Sequence, residues 1–273
     1  MERIKSIIIE NGASEVGVLR FQDCEIINIR VLSKLDFEPQ TVFIGIVPYY
    51  THFCDLDRNI SAYALAHDYH LHLKQICEKS ISSIQSIYPY AKFAGYVDHS
   101  PINEKIAAAK AGLGIIGKHS LLITPKYSSF VFIFELLSDL AFDVKLHNVE
   151  GCEGCNKCLS ACPVGAFNPT QCLSAITQKK GELSTNERKL IANSGYAWGC
   201  DICQLVCPHT VKAINAKTIY TNSQWFNSNV ITTPTINTIE DTNDFLLRAY
   251  SWRGSQTLLR NIAILNDTCE VQK

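Results

Sequence analysis

The chain has 273 residues, of which 47% are hydrophobic and 19% charged, and its formal net charge is −1. This length is ample for a large core, and the near-neutral charge excludes a general electrostatic attraction to nucleic acid or an anionic membrane. The N-terminus carries no apolar run of signal-peptide length, and the most apolar window, residues 130–137, is too short to span a bilayer. We therefore expect a soluble, cytoplasmic protein with no membrane partner.

Helical and strand periodicities alternate through the first 145 residues. In chain order they predict a helix over 2–12, strands over 16–20 and 41–47, a helix over 60–86, a strand over 92–97, a helix over 102–111 capped by Ser100 and ended by Gly112, and strands over 120–124 and 130–137. This alternation is typical of a layered α/β or α+β domain.

The pattern changes after residue 150. Eight of the twelve cysteines fall between Cys152 and Cys207, residues 215–236 are rich in Asn, Thr and Ser, and helical spacing returns over 239–265. The predicted organisation is therefore a core over 1-150, a cysteine-rich module over 151-214, and a linker with C-terminal helices over 215-273.

Cysteine spacing is the strongest chemical signal in the sequence. A run of the form Cys-x2-Cys-x2-Cys-x3-Cys-Pro begins at Cys152, and this is the ferredoxin run in which the fourth cysteine reaches a second cubane cluster. A second run, Cys-x2-Cys-x3-Cys-Pro, begins at Cys200 and has three ligands, so Cys172 between the runs can supply the missing one. The predicted ligand sets are Cys152, Cys155, Cys158 and Cys207 for one 4Fe–4S cluster, and Cys162, Cys172, Cys200 and Cys203 for the other.

An alternative use of these cysteines is a pair of structural zinc sites, which join two CxxC units but do not need the ferredoxin run. The cysteines outside the runs are expected to be ordinary buried thiols. They are Cys24, Cys54, Cys77 and Cys269.

Three further signals are weaker. Residues 112–117 match GxGxxG, but a predicted helix precedes them where a dinucleotide site needs a strand, so we reject that site and attribute the glycines to tight turns or close approach to a large flat ligand. His67 and His70 share a helix face and form either a metal pair or a polar surface. Asp98 follows an apolar strand, where it is either a general acid with a raised pKa or a turn residue.

Taken together, several segments resemble the epoxyqueuosine reductases, which are cobalamin-dependent iron–sulfur enzymes of tRNA queuosine biosynthesis. The resemblance lies in residues 60–64, 68–70, 96–101, 111–118, 121–123 and 258–265 and in both cysteine runs, notably 199–208. It implies an α+β fold: a layered α/β corrinoid-binding core with an inserted ferredoxin-like double 4Fe–4S module and a helical C-terminal segment. Longer members continue into helical repeats that help to grip tRNA, so this chain is expected to be a short form.

The resemblance also implies cofactors, partners and residue roles. Two 4Fe–4S clusters and cobalamin would be the cofactors, Asp98 the proton donor, and Cys172 the interposed cluster ligand. Cofactor contacts would come from Ser61, Tyr69, His70, Asp98, Gly114, Gly117, Lys118, Leu122 and Ile133. The family reaction removes an epoxide oxygen from a cyclopentane ring with two electrons and protons, and the expected partners are tRNA and an external one-electron donor of ferredoxin or flavodoxin type.

Two other functions remain open from the sequence. The same chemistry could act on a small molecule, such as a free nucleoside or a halogenated compound. A ferredoxin-like electron carrier is the third hypothesis, although about 145 residues upstream of the clusters argue against it, since a carrier needs neither a glycine-rich pocket nor an acid.

Overall fold

The computed structural model describes residues 1–152, 154–165 and 171–270, and within the last range the side chains of 268–270 are not described. Its contacts form two compact units, one of Met1–Pro48 and His70–Glu153 and one of Tyr49–Tyr69 and Gly154–Lys273. The domain limits 1-150, 151-214 and 215-273 stay predictions. In the described part of the chain, every helix is too short or too polar to cross a membrane.

An antiparallel sheet organises the first unit. Its strand order is β1-β2-β6-β3, and a separate hairpin joins β4 to β5. The strands are β1 (Glu15–Arg20), β2 (Thr41–Pro48), β3 (Phe93–Tyr96), β4 (Ile115–Ile116), β5 (Leu122–Ile123) and β6 (Val131–Ser138), and the helices are α1 (Glu2–Glu10), α2 (Ile29–Leu32), α3 (Tyr69–Gln85) and α4 (Glu104–Lys110). Helices around an antiparallel sheet confirm the α+β class.

The two central strands come from the most apolar stretches of the sequence. All eight residues of β2 are buried, and β6 is buried from Ile133 to Ser138. Gly45 of β2 lies opposite Phe134 of β6, and a Cβ at Gly45 would come within 2.2 Å of the Phe134 ring. A side chain at Gly45 would therefore displace the aromatic ring from the core.

Helix α4 covers one face of this sheet. Its residues Ala107, Ala108 and Ala109 are buried in one apolar cluster with Ile133 and Leu137 of β6. Small side chains let the helix backbone lie close to the strands. Helix α4 ends as the sequence predicts, because Gly112 follows it at φ +82°, a conformation that favours glycine.

Short helices make up most of the second unit. They are α5 (Lys157–Ala161), α6 (Leu173–Thr177), α7 (Thr185–Ser194), α8 (Ile202–Leu205), α9 (Pro208–Asn215), α10 (Ile236–Glu240), α11 (Thr242–Leu246) and α12 (Ser255–Glu270). Helix α12 packs against α6 and α7, and the buried Asn261 amide donates to the carbonyls of Thr177 and Ala197, both at 2.7 Å. Within the linker predicted over 215–236, residues 216–235 contain no helix or strand, whereas Asn215 ends α9 and Ile236 begins α10.

The helix predicted over 60–86 is wrong in its first part, because α3 begins only at Tyr69. Backbone donors in the preceding segment bond to distant groups: Ser61 N–H to the Trp198 carbonyl at 2.8 Å, and Asp68 N–H to the Leu247 carbonyl at 2.7 Å. These long-range bonds replace the local ones that a helix would need. Periodicity alone could not detect this competition.

Two predicted helix boundaries also need correction. Asn103 rather than Ser100 caps α4, since the Asn103 side chain accepts from Ile106 N–H and the Ser100 hydroxyl accepts from Ile102 N–H before the helix begins. The helical stretch predicted over 239–265 is divided into parts of α10, α11 and α12, with Gly254 at φ +83° immediately before α12.

Candidate functional site

Asp98 lies two residues beyond β3, in the turn that leads to α4. Its φ of 58° is left-handed, and the turn is closed by Ser100 N–H donating to the Asp98 carbonyl at 2.9 Å. Asp is one of the residues that tolerates this conformation. The turn therefore holds the Asp98 carboxyl group at the end of strand β3.

His70, the second residue of α3, is the partner of that carboxyl group. His70 Nε2 lies 2.9 Å from Asp98 Oδ2, and both side chains are nearly half exposed, at 46% and 48%. A proton can therefore rest on either side of this contact while the pair remains accessible to a substrate. The structure brings together two residues that the resemblance assigns to one site.

A cavity of about 490 Å³ opens beside His70 and His99. Lys34, Lys74 and Glu78 also line it. Lys74 lies 3.8 Å from Glu78 and His70 is paired with Asp98, so Lys34 is the lining cation that could meet an anionic ligand.

His67 does not form a metal pair with His70. His67 Nε2 lies 3.1 Å from Asp244 Oδ1, whereas His70 contacts Asp98. Asp244 is also held by the Arg248 guanidinium at 2.8 Å. The prediction that the two histidines share a helix face is wrong, because His67 lies before α3; through Asp244, His67 instead joins α11 to the segment before α3.

The glycines of the 112–117 motif are explained by the chain itself. A Cβ at Gly114 would lie 2.3 Å from the Ile123 carbonyl oxygen, and one at Gly117 would lie 2.5 Å from the His119 ring. Both glycines thus permit the close β4–β5 hairpin. Because a helix precedes the motif and a strand follows, the context is the one on which we rejected a dinucleotide site.

The other residues assigned to cofactor contact lie in different surroundings. Leu122 and Ile133 belong to the apolar core of the first unit, while Lys118 is exposed. In the second unit, the Ser61 hydroxyl donates to Asp201 and the Tyr69 ring packs edge-on against Tyr63 at 6.3 Å. Their roles toward cobalamin stay predictions, and the glycines, Leu122 and Ile133 are accounted for by protein packing.

All four cysteines of the second predicted ligand set belong to the second unit. Burial raises the pKa of Cys203 to about 12, and Cys200, Cys172, Asp201 and Cys162 raise it further. Burial likewise raises the pKa of Cys200 to about 12, with added influence from Asp201, Cys172 and Cys162. Cys162 and Cys172 thus act electrostatically on both Cys200 and Cys203, and a positive metal core is what would hold such thiols as thiolates; their assignment to one cluster stays a prediction.

The first predicted set is less complete in the structure. Cys152 belongs to the first unit, where its sulfur accepts from Lys118 N–H at 3.2 Å. Cys158 is buried on α5 and Cys207 is buried at the N-cap of α9, and α5 packs against α8. No three His, Cys, Asp or Glu side chains in the described ranges are arranged to hold a single metal ion; a cubane cluster needs four thiolates around a larger core.

The cysteines outside the runs behave largely as predicted. Cys54 and Cys77 are buried, and burial raises their pKa values to about 11 and about 12. Cys24 is only half-buried, and the Cys269 side chain lies outside the described part of the structure.

Sequence analysis missed an ion pair beside the second ligand set. Asp201, between Cys200 and Cys203, is fully buried, and Arg58 Nη1 lies 2.6 Å from its Oδ2. Asp201 also accepts from the Ser61 hydroxyl at 2.5 Å and from Ala62 N–H at 2.7 Å. The sequence does show an acidic residue inside a cysteine run, which could have indicated a buried charge. It does not show the partner, Arg58, which lies 143 positions away.

We predict that Cys172→Ala removes about half of the iron, because one of two four-iron clusters loses a ligand. The measurement is iron and sulfide content per chain after anaerobic reconstitution. Cys54→Ala is the matched control, since Cys54 is a buried thiol of the same unit outside the runs, and it should keep full iron content. Full iron content in Cys172→Ala would contradict the assigned ligand set.

Comparison with known proteins agrees with the cysteine analysis. A family model described as a 4Fe-4S double cluster binding domain matches residues 151–210. The epoxyqueuosine reductase of Salmonella typhimurium is 40% identical over 156 residues, which cover 55% of this chain and 40% of that protein. The chain therefore spans less than half the length of this curated relative.

Solved structures extend the likeness over nearly the whole fold. The epoxyqueuosine reductase of Streptococcus thermophilus matches with a TM-score of 0.75 and 25% identity, covering 98% of this chain and 81% of that one. An epoxyqueuosine reductase crystallised with an epoxyqueuosine-modified stem loop of a tyrosine tRNA matches with a TM-score of 0.80 and 21% identity, covering 97% and 80%. The chain is thus a relative of the epoxyqueuosine reductases in sequence and shares their fold.

Proposed function

We propose that this chain reduces the epoxide of epoxyqueuosine in tRNA to the alkene of queuosine, with two 4Fe–4S clusters and cobalamin as cofactors. The observation that carries the proposal is the accessible Asp98–His70 pair, at 2.9 Å, in a chain that also has a double-cluster cysteine module. Removal of an epoxide oxygen requires both an acid and a supply of electrons, and this chain carries residues for each.

The reaction balances with two electrons and two protons. Both C–O bonds of the epoxide break, a carbon–carbon double bond forms, and the oxygen leaves as water. An external one-electron donor of ferredoxin or flavodoxin type would supply the electrons singly, and the clusters would pass them on. Cobalamin, when bound, would supply the low-potential chemistry at the ring carbon.

Asp98 is the residue of this chain that we assign to the leaving oxygen. Its carboxyl group protonates the oxygen as the C–O bond breaks, so that a free alkoxide does not form. His70 orients the Asp98 carboxyl group through the 2.9 Å contact. The left-handed backbone at Asp98 ends the extended conformation of β3, and the carboxyl group therefore stays at the end of the strand.

The substrate assignment is supported by a relative and by local charge. An epoxyqueuosine reductase of the same fold is known with its modified tRNA stem loop. The net charge of −1 gives this chain no overall attraction to RNA, so phosphate contacts must be local. Lys34, which lines the cavity beside His70, is the candidate for such a contact.

The test is reduction by the anaerobically reconstituted chain, supplied with cobalamin and a chemical reductant. We expect queuosine in the digested tRNA when epoxyqueuosine-containing tRNA is the substrate, and little product from the free nucleoside. Mass spectrometry of the released nucleosides measures both. Equal turnover of the free nucleoside would reject tRNA as the substrate, and no product from either, with both clusters and cobalamin bound, would reject the function.

A further inference from the structure

Glu135 is a carboxyl group in the middle of the apolar core. It lies on the central strand β6, where it pairs with Ile44 of β2 and Tyr96 of β3, and it is fully buried. Its neighbours on the same strand face, Ile133 and Leu137, belong to the apolar cluster of the first unit. A charged residue type at such a position needs an explanation beyond packing, because burial strongly disfavours the ionised form.

Hydrogen bonding does not supply that explanation. Neither carboxyl oxygen of Glu135 has a partner of ordinary geometry, and the same is true of the buried Oε2 of Glu104 in the first turn of α4. The Ser100 hydroxyl lies close enough to lower the Glu135 pKa in part. A buried carboxyl group without partners is held as the neutral acid.

Both carboxyl groups accordingly bind protons tightly. Burial raises the pKa of Glu135 well above its usual value, and the charges of Glu104 and Asp98 raise it further. Burial raises the pKa of Glu104 to about 7, and the charge of Asp98 adds to this, whereas Lys105 acts in the opposite direction. Near neutral pH, Glu135 is therefore protonated and Glu104 is close to its midpoint.

Each element packed around Glu135 contributes ionisable or polar groups that face it. Its charge would raise the pKa values of Cys24 after β1, Cys77 on α3 and Tyr96 on β3, in each case in addition to burial. From the turn and α4 come Asp98, Ser100 and Glu104. Asp98 and Ser100 follow Tyr96, which pairs with Glu135 across the sheet, and Glu104 lies in the first turn of the helix that covers this face of the sheet.

We propose that Glu104, backed by Glu135, is a proton reserve that refills Asp98 during turnover. The proposal rests on the proposed function, in which one turnover consumes two protons while Asp98 holds one. Asp98 gives its proton to the oxygen as the first C–O bond breaks and becomes a carboxylate. Glu104 then passes its proton to Asp98, which gives it to the departing oxygen as the second C–O bond breaks and water leaves.

After turnover Asp98 and Glu104 are both carboxylates, and solvent returns one proton to each through the exposed Asp98. Glu135 keeps its proton throughout, because burial raises its pKa well above the usual value, and it remains the neutral neighbour of Glu104. The two electrons come from the clusters, so the carboxyl groups change only in protonation. Glu104 and Glu135 act through Asp98 and need not touch the substrate.

Infrared spectroscopy of the full chain measures the protonation of Glu104 and Glu135 directly, without turnover. At pH 8 exposed carboxyl groups are ionised, so we expect a carbonyl band of a protonated carboxyl group that disappears in Glu135→Leu. A second component should diminish as pH rises through about 7, following the Glu104 pKa, and be missing in Glu104→Gln. Glu10→Gln, which changes an exposed glutamate of the same unit, is the control and should keep both.

Stability separates this role from a structural one. Glu135→Leu should raise the urea midpoint of unfolding, because it replaces an unpartnered buried acid by an apolar side chain of similar size. A structural role for Glu135 predicts a lower midpoint instead. Glu135→Gln serves as a second variant if the leucine does not pack, since it also removes the band and keeps the shape.

Turnover supplies the last readout. We expect kcat of the wild type to fall as pH rises through about 7, and Glu104→Gln to lower kcat about tenfold at pH 6 and remove this pH dependence, with KM unchanged. Absence of the infrared band in the wild type, or an unaltered pH profile of kcat in Glu104→Gln, would overturn the proposal that Glu104 is a proton reserve. Full turnover in Asp98→Asn would instead overturn the proposed function, so the two failures are distinguishable.

Discussion

Asp98→Asn should lower kcat by about 100- to 10,000-fold, which is the usual contribution of a positioned general acid. Asparagine has nearly the same shape, and it tolerates the left-handed φ of 58° at this turn. It can still bond to His70 but has no acidic proton to give. The loss should therefore appear in the chemical step, measured as single-turnover formation of queuosine from epoxyqueuosine-containing tRNA.

The control for Asp98→Asn is Asp36→Asn. Asp36 is an exposed aspartate of the same unit, and its carboxylate is also paired, with Lys92 at 2.9 Å. Exposed pairs of this kind contribute little to stability, so the control should keep both fold and turnover. If Asp98→Asn retains wild-type kcat with full iron and cobalamin content, the proton donor lies elsewhere.

Elements with strong local signals could be predicted from the sequence. The apolar runs predict β2 and β6 to within a residue or two, and the helix predicted over 2–12 corresponds to α1, whose buried residues Ile4, Ile7 and Ile8 have helical spacing. Cysteine spacing likewise predicts the cluster module, and a double-cluster family model matches residues 151–210. In each case the determining interactions are close in sequence or follow a fixed spacing.

Other features depended on distant parts of the chain. Residues 60–68 have helical periodicity, yet the backbone donors of Ser61 and Asp68 bond to groups more than 130 positions away, which no local pattern encodes. Glu135 lies inside an apolar run that predicts a strand, and the sequence gives no sign that its carboxyl group lacks a partner. The pairing of Arg58 with Asp201 is of the same kind.

That buried ion pair leads to the second large effect. Arg58→Met should lower the free energy of unfolding by about 3 kcal/mol, because it leaves the fully buried Asp201 without its cation. Arg58 is also nearly buried, with 6% of its side chain exposed, and Asp201 raises its pKa against the opposing effect of burial. The Ser61 hydroxyl and Ala62 N–H still bond to Asp201, which keeps the loss at the lower end of the range for broken buried pairs.

Arg20→Met is the matched control, since Arg20 forms an equally short pair with Asp23 at 2.7 Å, but both side chains are partly exposed. It should cost less than about 1 kcal/mol. Adding Asp201→Asn to Arg58→Met should restore part of the stability, because the unpaired charge is then gone. Urea unfolding followed by the fluorescence of the buried Trp198 measures all three variants. Equal losses in Arg58→Met and Arg20→Met would mean that Asp201 is stabilised by its hydrogen bonds and not by the cation.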